Sequence, residues 1–527
     1  PGGAPGDGGV GGAVSAGSAG EGLGGVGSAG GDAAQPEHWL AFQLWTEDEN
    51  THPLLFTSVP PQADPVELAP DVDFWQWTPD GTRLLYATPA AYGGPPNAAF
   101  SVTVSATGVL GAPERLHEPL GEGALALRVS SSPDSKTLAL QLYEGEVSTW
   151  YLRPIDGGVG DWTAVTRSVA GAETAGTSEV RLMWSHDGAR AAIIQREDAT
   201  HDSLFIVDAV TGEGSRGSFG TLRPFQWSAD GSRFFAEALG PGAGQRVLYA
   251  IDADAASNAI ELSEPAVHYG FDPRKFAVSS DGDTVAFSAG VYGALGSVAL
   301  LKQVASAQPA LQVGNAARDF VWSERSEQFF FTGSQDADVH LYAVPRQGGD
   351  AVRLNPEGTR AVCNVAPCLQ AAGDALLLMT SDADQDVIGN RLYDIDLSTP
   401  SPSARPLTAF AAKEVIDFLA VSPNFSNVLL FATNAAGKQG IYLVDRSAAP
   451  PSVTRLFNPA AGASSQPLGW SPDSRLFDLR ADPDNDGYVD LFAVAAGSAT
   501  AGLPAPLTPQ GRKNTSVSAA WRPQQLP

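Results

Sequence analysis

Residues Leu468 to Val494 read LGWSPDSRLFDLRADPDNDGYVDLFAV. The segment predicts a strand ending at Trp470, a tight turn at Ser471-Pro472-Asp473-Ser474, and a second strand from Arg475 to Arg480. An acidic loop follows, then a third strand from Tyr488 to Val494. Pro472 pre-sets φ for the first corner of the turn, and Asp473 can hydrogen-bond its own backbone there. The flanking runs are β-branched, aromatic and partly alternating, as half-buried strands require.

The chain returns to this unit throughout its length. The turn recurs as Trp77-Thr78-Pro79-Asp80-Gly81, Ser131-Ser132-Pro133-Asp134, Trp184-Ser185-His186-Asp187-Gly188 and Trp227-Ser228-Ala229-Asp230-Gly231. Later copies are Val278-Ser279-Ser280-Asp281-Gly282, Trp322-Ser323-Glu324, Val421-Ser422-Pro423-Asn424 and Trp470-Ser471-Pro472-Asp473. A weaker copy centres on Gly373-Asp374, and Trp521-Arg522-Pro523 begins a last one. A period of roughly 43 to 54 residues, with about four short strands per unit, is the signature of propeller blades. Motif strands from Trp77 to Trp521 number ten. Two smaller propellers are the alternative, although no linker interrupts the series.

The ends of the array complete it. Trp39–Trp45, Pro53–Val59 and Val66–Leu68 read as three strands ahead of the first full turn, and Ser516–Trp521 supplies one more. Three plus one makes a blade, and pairing them removes the open edges of the sheet. The expected fold is therefore all-β: a single closed β-propeller of ten four-stranded blades over residues 37–527, closed by pairing the N- and C-terminal strands. Within it Trp77, Trp184, Trp227, Trp322, Trp470 and Trp521 should pack between blades. Gly81, Gly188, Gly231 and Gly282 should take φ > 0 after the turn.

Residues 1–36 differ in kind. Gly, Ala, Ser and Val dominate, with no aromatic side chain, so the segment predicts a linker or arm unable to bury a core of its own.

The motif order then points to a family. A W-S-P-D-G turn, a short apolar strand, an I/L-Y-x-x-D strand and an L-T ending resemble the TolB-like, or PD40 (WD40-like), β-propeller repeat. Here the order appears in Trp227–Gly231, Phe234-Phe235-Ala236 and Val247-Leu248-Tyr249-Ala250-Ile251-Asp252. It appears again in Leu392-Tyr393-Asp394-Ile395-Asp396 with Pro406-Leu407-Thr408, and in Ile441-Tyr442-Leu443-Val444-Asp445. The resemblance implies a periplasmic or cell-surface location in a bacterium and protein–protein binding. The TolB N-terminal α/β domain is missing, and ten blades exceed the six of that family. The Gly/Ala/Ser tract resembles the spacer of a mature bacterial lipoprotein, which would carry its lipid anchor upstream of residue 1.

Composition narrows the partners. The chain has 527 residues, a formal charge of -27 and a mean hydropathy of -0.08, with no apolar run long enough for a transmembrane helix. An acidic field repels nucleic acid and anionic membranes and favours cations or basic partners, or it serves solubility alone. Cys363 and Cys368 are the only cysteines. Their spacing is not a CxxC motif, and in an exported protein they should form a small-loop disulfide; in a cytosolic one they would be buried thiols.

The sharpest chemical motif lies inside the opening stretch. Asp482, Asp484 and Asp486 stand at positions 1, 3 and 5 of a loop with Gly487 at 6, the Tyr488 carbonyl at 7 and Asp490 at 9. That spacing matches the start of a calcium loop, where alternating carboxylates converge on one ion. Ala493 replaces the bidentate Glu of an EF-hand, and the loop instead resembles the D-x-D-x-D-G-x-x-D hairpins of integrin-type propellers. The alternative is a solvated acidic turn. Asp382, Asp384 and Asp386, followed by Gly389-Asn390, form a looser copy, and Asp336 with Asp338 a weaker one.

Motifs for catalysis are missing. No serine has glycine both two before and two after it, and the histidines show no HExxH spacing. The leading expectation is a non-catalytic, exported scaffold or structural subunit that binds protein partners, with calcium-stiffened loops. The alternative is a lactonase-like, metal-dependent hydrolase, which would need acids from several blades at the ring centre.

Overall fold

The structure is a computed structural model that describes residues 38–523 apart from short stretches, chiefly 47–50, 90–97, 119–124, 170–180, 240–245, 264–275, 291–296, 362–368, 383–388, 458–464, 497–502 and 510–512. The arm expected at residues 1–36 lies outside the described residues. Ten antiparallel sheets follow one another along the chain, and the helical content among the described residues is one 3-10 turn, Val159–Asp161. No helix there is long and apolar enough to cross a membrane.

Blade 1 is built from both ends of the chain. His38–Thr46, Leu54–Val59 and Val66–Ala69 form its second, third and fourth strands, and Asn514–Trp521, which carries the turn-motif tryptophan, takes the place of its first strand beside His38–Thr46. The register runs Leu40↔Trp521, Phe42↔Ala519 and Leu44↔Val517. Blades 2 to 9 then occupy residues 74–115, 125–169, 181–220, 222–261, 276–315, 320–353, 359–409 and 415–457, and blade 10 residues 465–495. The protein is thus a ten-bladed β-propeller.

The core is not one mass. Buried apolar side chains fall into ten clusters, each lying between two consecutive blades. A linear row of ten blades has nine junctions. The tenth cluster, which joins Leu491 and Val489 of the blade 10 region to Leu40, Phe42 and Leu44 of blade 1, exists only because the ring closes.

Two blades depart from four strands. In blade 8 both Thr359–Ala361 and Leu369–Ala372 pair with Ala375–Asp382, so the first strand is split in two by residues 362–368. Cys363 and Cys368 and the disulfide expected between them lie in that gap, outside the described residues. Blade 10 shows three ladder strands. The segment in fourth place contains Pro504 and Pro506, which have no N–H to donate, and among its described residues makes one backbone bond to the blade, Leu507 N–H to the Leu491 carbonyl at 2.7 Å.

The turn motif works as a fixed hydrogen-bonding unit. In blade 4 the fully buried Ser185 hydroxyl donates to Asp187 at 2.7 Å and accepts the Arg190 N–H at 2.9 Å, while Asp187 accepts the Ala189 N–H at 3.0 Å. The bond from Ser185 holds the Asp187 carboxyl below its usual range. Thr78–Asp80, Ser132–Asp134, Ser279–Asp281 and Ser471–Asp473 repeat the hydroxyl-to-carboxylate bond, and Ser422 makes it to Asn424. Gly81, Gly188, Gly231 and Gly282 all have positive φ.

The tryptophans join blades as expected. The indole N–H of Trp77 donates to the Ala520 carbonyl, that of Trp227 to Met183, Trp322 to Ala277 and Trp470 to Ala420. Trp184 reaches the Ser130 hydroxyl. In each case the acceptor belongs to the first strand of the preceding blade. Trp521 alone reaches a second strand, at Asp478.

A second recurring device seals the outer strands. Leu116, Leu262, Leu354 and Leu407 are buried, and each is followed by a buried polar residue: His117, Ser263, Asn355 and Thr408. Those side chains accept the N–H groups of Ala99, Leu248, Leu341 and Leu392. A buried strand N–H beyond the ladder is thereby satisfied rather than orphaned.

Candidate metal centre

The acidic loop of blade 10 joins Leu476–Ala481 to Asp490–Ala495. The chain reverses there by local means. Asn485 (φ 61°) and Gly487 (φ 91°) both enter the left-handed region, which glycine and asparagine tolerate best. Asp482 is nearly fully buried and sits at the base of the loop. Its Oδ1 accepts the Asp486 N–H at 3.1 Å and its Oδ2 the Gly487 N–H at 3.0 Å. Asp486 in turn accepts the Tyr488 N–H at 2.9 Å.

These bonds draw three carboxylates together. One oxygen from each of Asp482, Asp484 and Asp486 lies within 4.8 Å of the others, with Asp484 and Asp486 exposed. Two oxygens on opposite sides of a calcium ion are about 4.6–5.2 Å apart, twice the usual Ca–O distance. The group therefore fits one ion. A carboxylate oxygen that accepts an N–H keeps a further lone pair, so Asp482 can hold the loop and face a cation together.

The remaining predicted ligands are placed differently. Asp490, at the start of the third strand, accepts the Thr508 hydroxyl through Oδ1 and is not one of the three converging acids. Burial first, and then the charges of Asp484, Asp486 and Asp482, push its carboxyl above the usual range. The Tyr488 ring lies under the Lys513 ammonium, 5.3 Å from its centroid. Asp384 and Asp386 of the looser copy lie outside the described residues, and of Asp382 only the backbone, at the end of Ala375–Asp382, is described. Asp338 begins a strand of blade 7, and Asp336 is outside the described residues.

Among the described residues the converging acids come from one loop of one blade. A group drawn from several blades, as the hydrolase alternative requires, is not among them.

No protein-family profile and no curated protein matches the chain. Solved structures do. A eukaryotic initiation factor structure aligns over 93% of this chain and 99% of its own, at 12% identity and a TM-score of 0.48. A structure from a study of two prolyl endopeptidases aligns over 69% of this chain and 55% of its own, at 13% identity and a TM-score of 0.38.

Proposed function

We propose that the protein is an exported, non-catalytic β-propeller, periplasmic or at the cell surface, that acts as a binding scaffold within an envelope or extracellular assembly, with calcium stiffening the Asp482–Asp490 loop. The observation that carries the calcium part is the convergence of Asp482, Asp484 and Asp486 on a space the size of one ion. The PD40-like order of turn and strand motifs supports the TolB-like reading of location and role. The acidic balance of -27 favours a basic or cation-bridged protein partner over nucleic acid.

Calcium titration by calorimetry, run beside thermal melts in calcium and in chelator, tests the metal. Binding of one or two ions with a raised melting temperature supports the reading, and no heat together with identical melts overturns it. Crosslinking in native envelope followed by recovery of the tagged chain tests the scaffold role. A specific crosslinked protein supports it, and recovery of uncrosslinked monomer alone defeats it.

A further inference from the structure

At the junction where the ring closes, one residue breaks a rule kept by the other nine blades. The residue just before the motif position in each first strand faces a residue of the second strand. Those partners are Ala41, Leu85, Ala139, Ala192, Phe235, Ala286, Phe330, Leu376 and Leu429 in blades 1 to 9. All nine are apolar. In blade 10 the pair is Gly469 and Asp478.

Asp478 is fully buried. A Cβ on residue 469 would stand 3.3 Å from its Oδ1, so the glycine opens the room that the carboxyl fills. Oδ1 accepts the indole N–H of Trp521 at 2.7 Å, where the other motif tryptophans reach the first strand of the preceding blade. Oδ2 has no partner. A buried carboxylate anion with one free oxygen is strongly disfavoured, whereas a neutral acid is tolerated.

Among the described residues no cation is paired with it. Among the surrounding elements, Ser465–Trp470 and Asn514–Trp521 contain no charged residue. Arg480, on the same strand, donates to Gln466 and Ser516, and Arg475 lies near Asp473. Asp490, on the adjoining strand, accepts from Thr508. Arg522 turns to the carbonyls of Gly81, Val104 and Ser105. His38 of blade 1, edge-on to Trp521, has its Nε2 3.3 Å from Asp473 across the same junction.

We propose that the junction of blades 10 and 1 is a pH-responsive latch, in which the closing strand Asn514–Trp521 is held firmly while Asp478 is protonated and loosens when Asp478 ionises. Loss of the proton leaves an anion, favoured by the Trp521 indole and less by the backbone N–H groups of Asp478 and Gly469, beside an apolar wedge formed by Leu40, Phe42, Leu491 and Val517. Opening the wedge hydrates that anion.

Burial pushes the Asp478 carboxyl up to about 7, above an unfolded value near 4. The proton is therefore retained in the closed state and lost in the open one between those values, so opening becomes easier as pH rises through that window and levels off above it. Hydrogen exchange of the full chain, corrected for intrinsic rates, tests this over a series of pH values from 5 to 8. The protection of segment 514–521 should fall by roughly two orders of magnitude. The first strand of blade 4, Arg181–Trp184, serves as the internal control and should change by less than about tenfold. Asp478→Asn should remove most of the difference. Trp521→Phe, which deletes a donor that favours the anion, should move the midpoint to higher pH. An equal response in both segments, a fall that survives Asp478→Asn, or an unmoved midpoint in Trp521→Phe overturns the latch.

Discussion

His117 Nε2 accepts the backbone N–H of Ala99 at 3.1 Å, while its Nδ1 lies 2.7 Å from the Glu118 carbonyl. The two contacts fix the tautomer: Nδ1 carries the proton and Nε2 is bare. Protonating Nε2 would set two donors against each other. Burial pushes the imidazole below its ordinary value, which the neighbouring Glu118 carbonyl only partly offsets.

A depressed histidine value means that the native state resists a proton the unfolded chain accepts. The contribution of His117 to stability should be complete above about pH 6.5 and decline as pH falls below it. His117→Ala orphans the Ala99 N–H and should cost about 1–3 kcal/mol at pH 8. Denaturant midpoints across pH 5 to 8 check both statements. A variant whose loss relative to wild type is the same at both ends of that range would contradict the assigned tautomer.

Two glycines with positive φ should respond unequally to alanine. At Gly81 (φ 66°) a Cβ would meet the Pro523 carbonyl at 2.3 Å, in the segment that closes the ring. Gly487 (φ 91°) has nothing within 4 Å of the same point. Gly487→Ala incurs backbone strain alone, on the order of 1 kcal/mol. Gly81→Ala adds a clash with backbone that cannot swing aside and should lose several times as much. Thermal melts of the pair separate the two contributions, and equal losses would show that the closing segment yields.

The blade count and closure were legible because each residue of the turn acts within its own blade or on the one before it, so the pattern repeats in sequence as it does in space. Strand limits were less so. The third strand of blade 10 reads from Tyr488 but begins at Asp490. The Tyr488 N–H is taken by the Asp486 carboxyl and the Val489 N–H by the Asn514 carbonyl, so neither enters the ladder. His117 falls in no motif spacing because its partner Ala99 lies on another strand, although a buried leucine followed by a polar residue recurs at the ends of several blades. Asp478 sits unnoticed in an ordinary strand pattern, since the indole it meets is 43 residues downstream in a different blade. The acidic loop fixes itself through Asp482, which is why the alternating spacing brings Asp482, Asp484 and Asp486 together, whereas Asp490 is taken by Thr508 from a segment the spacing does not reveal.

Arg522 follows the last motif tryptophan and donates to three backbone carbonyls of blade 2: Gly81 at 2.6 Å, Ser105 at 2.7 Å and Val104 at 3.0 Å. Burial pulls its guanidinium below the ordinary arginine value without making it neutral at physiological pH. Arg522→Ala should cost about 1.5–3 kcal/mol. Arg522→Lys should recover less than half of that, because an ammonium cannot reach three divergent acceptors from one planar fork. Urea midpoints for the two variants measure the difference, and full rescue by lysine would reduce the contact to charge alone.

The acids of the blade 10 loop have separable duties. Asp482 ties down the N–H groups of Asp486 and Gly487 without a cation, whereas the Asp484 carboxylate is exposed and contributes to the converging group. Asp484→Ala should therefore leave stability in chelator within about 0.5 kcal/mol of wild type. It should also weaken the calcium stabilisation proposed for this loop, which a single site would set at about 2.7 kcal/mol for wild type at a hundredfold excess over the dissociation constant. Asp482→Ala should cost about 1–3 kcal/mol even in chelator, since two loop amides lose their acceptor. Melts of both variants with and without calcium give the four numbers needed. If Asp484→Ala keeps the full calcium response, the ion is held elsewhere; if Asp482→Ala is silent in chelator, the loop is not organised by that carboxylate.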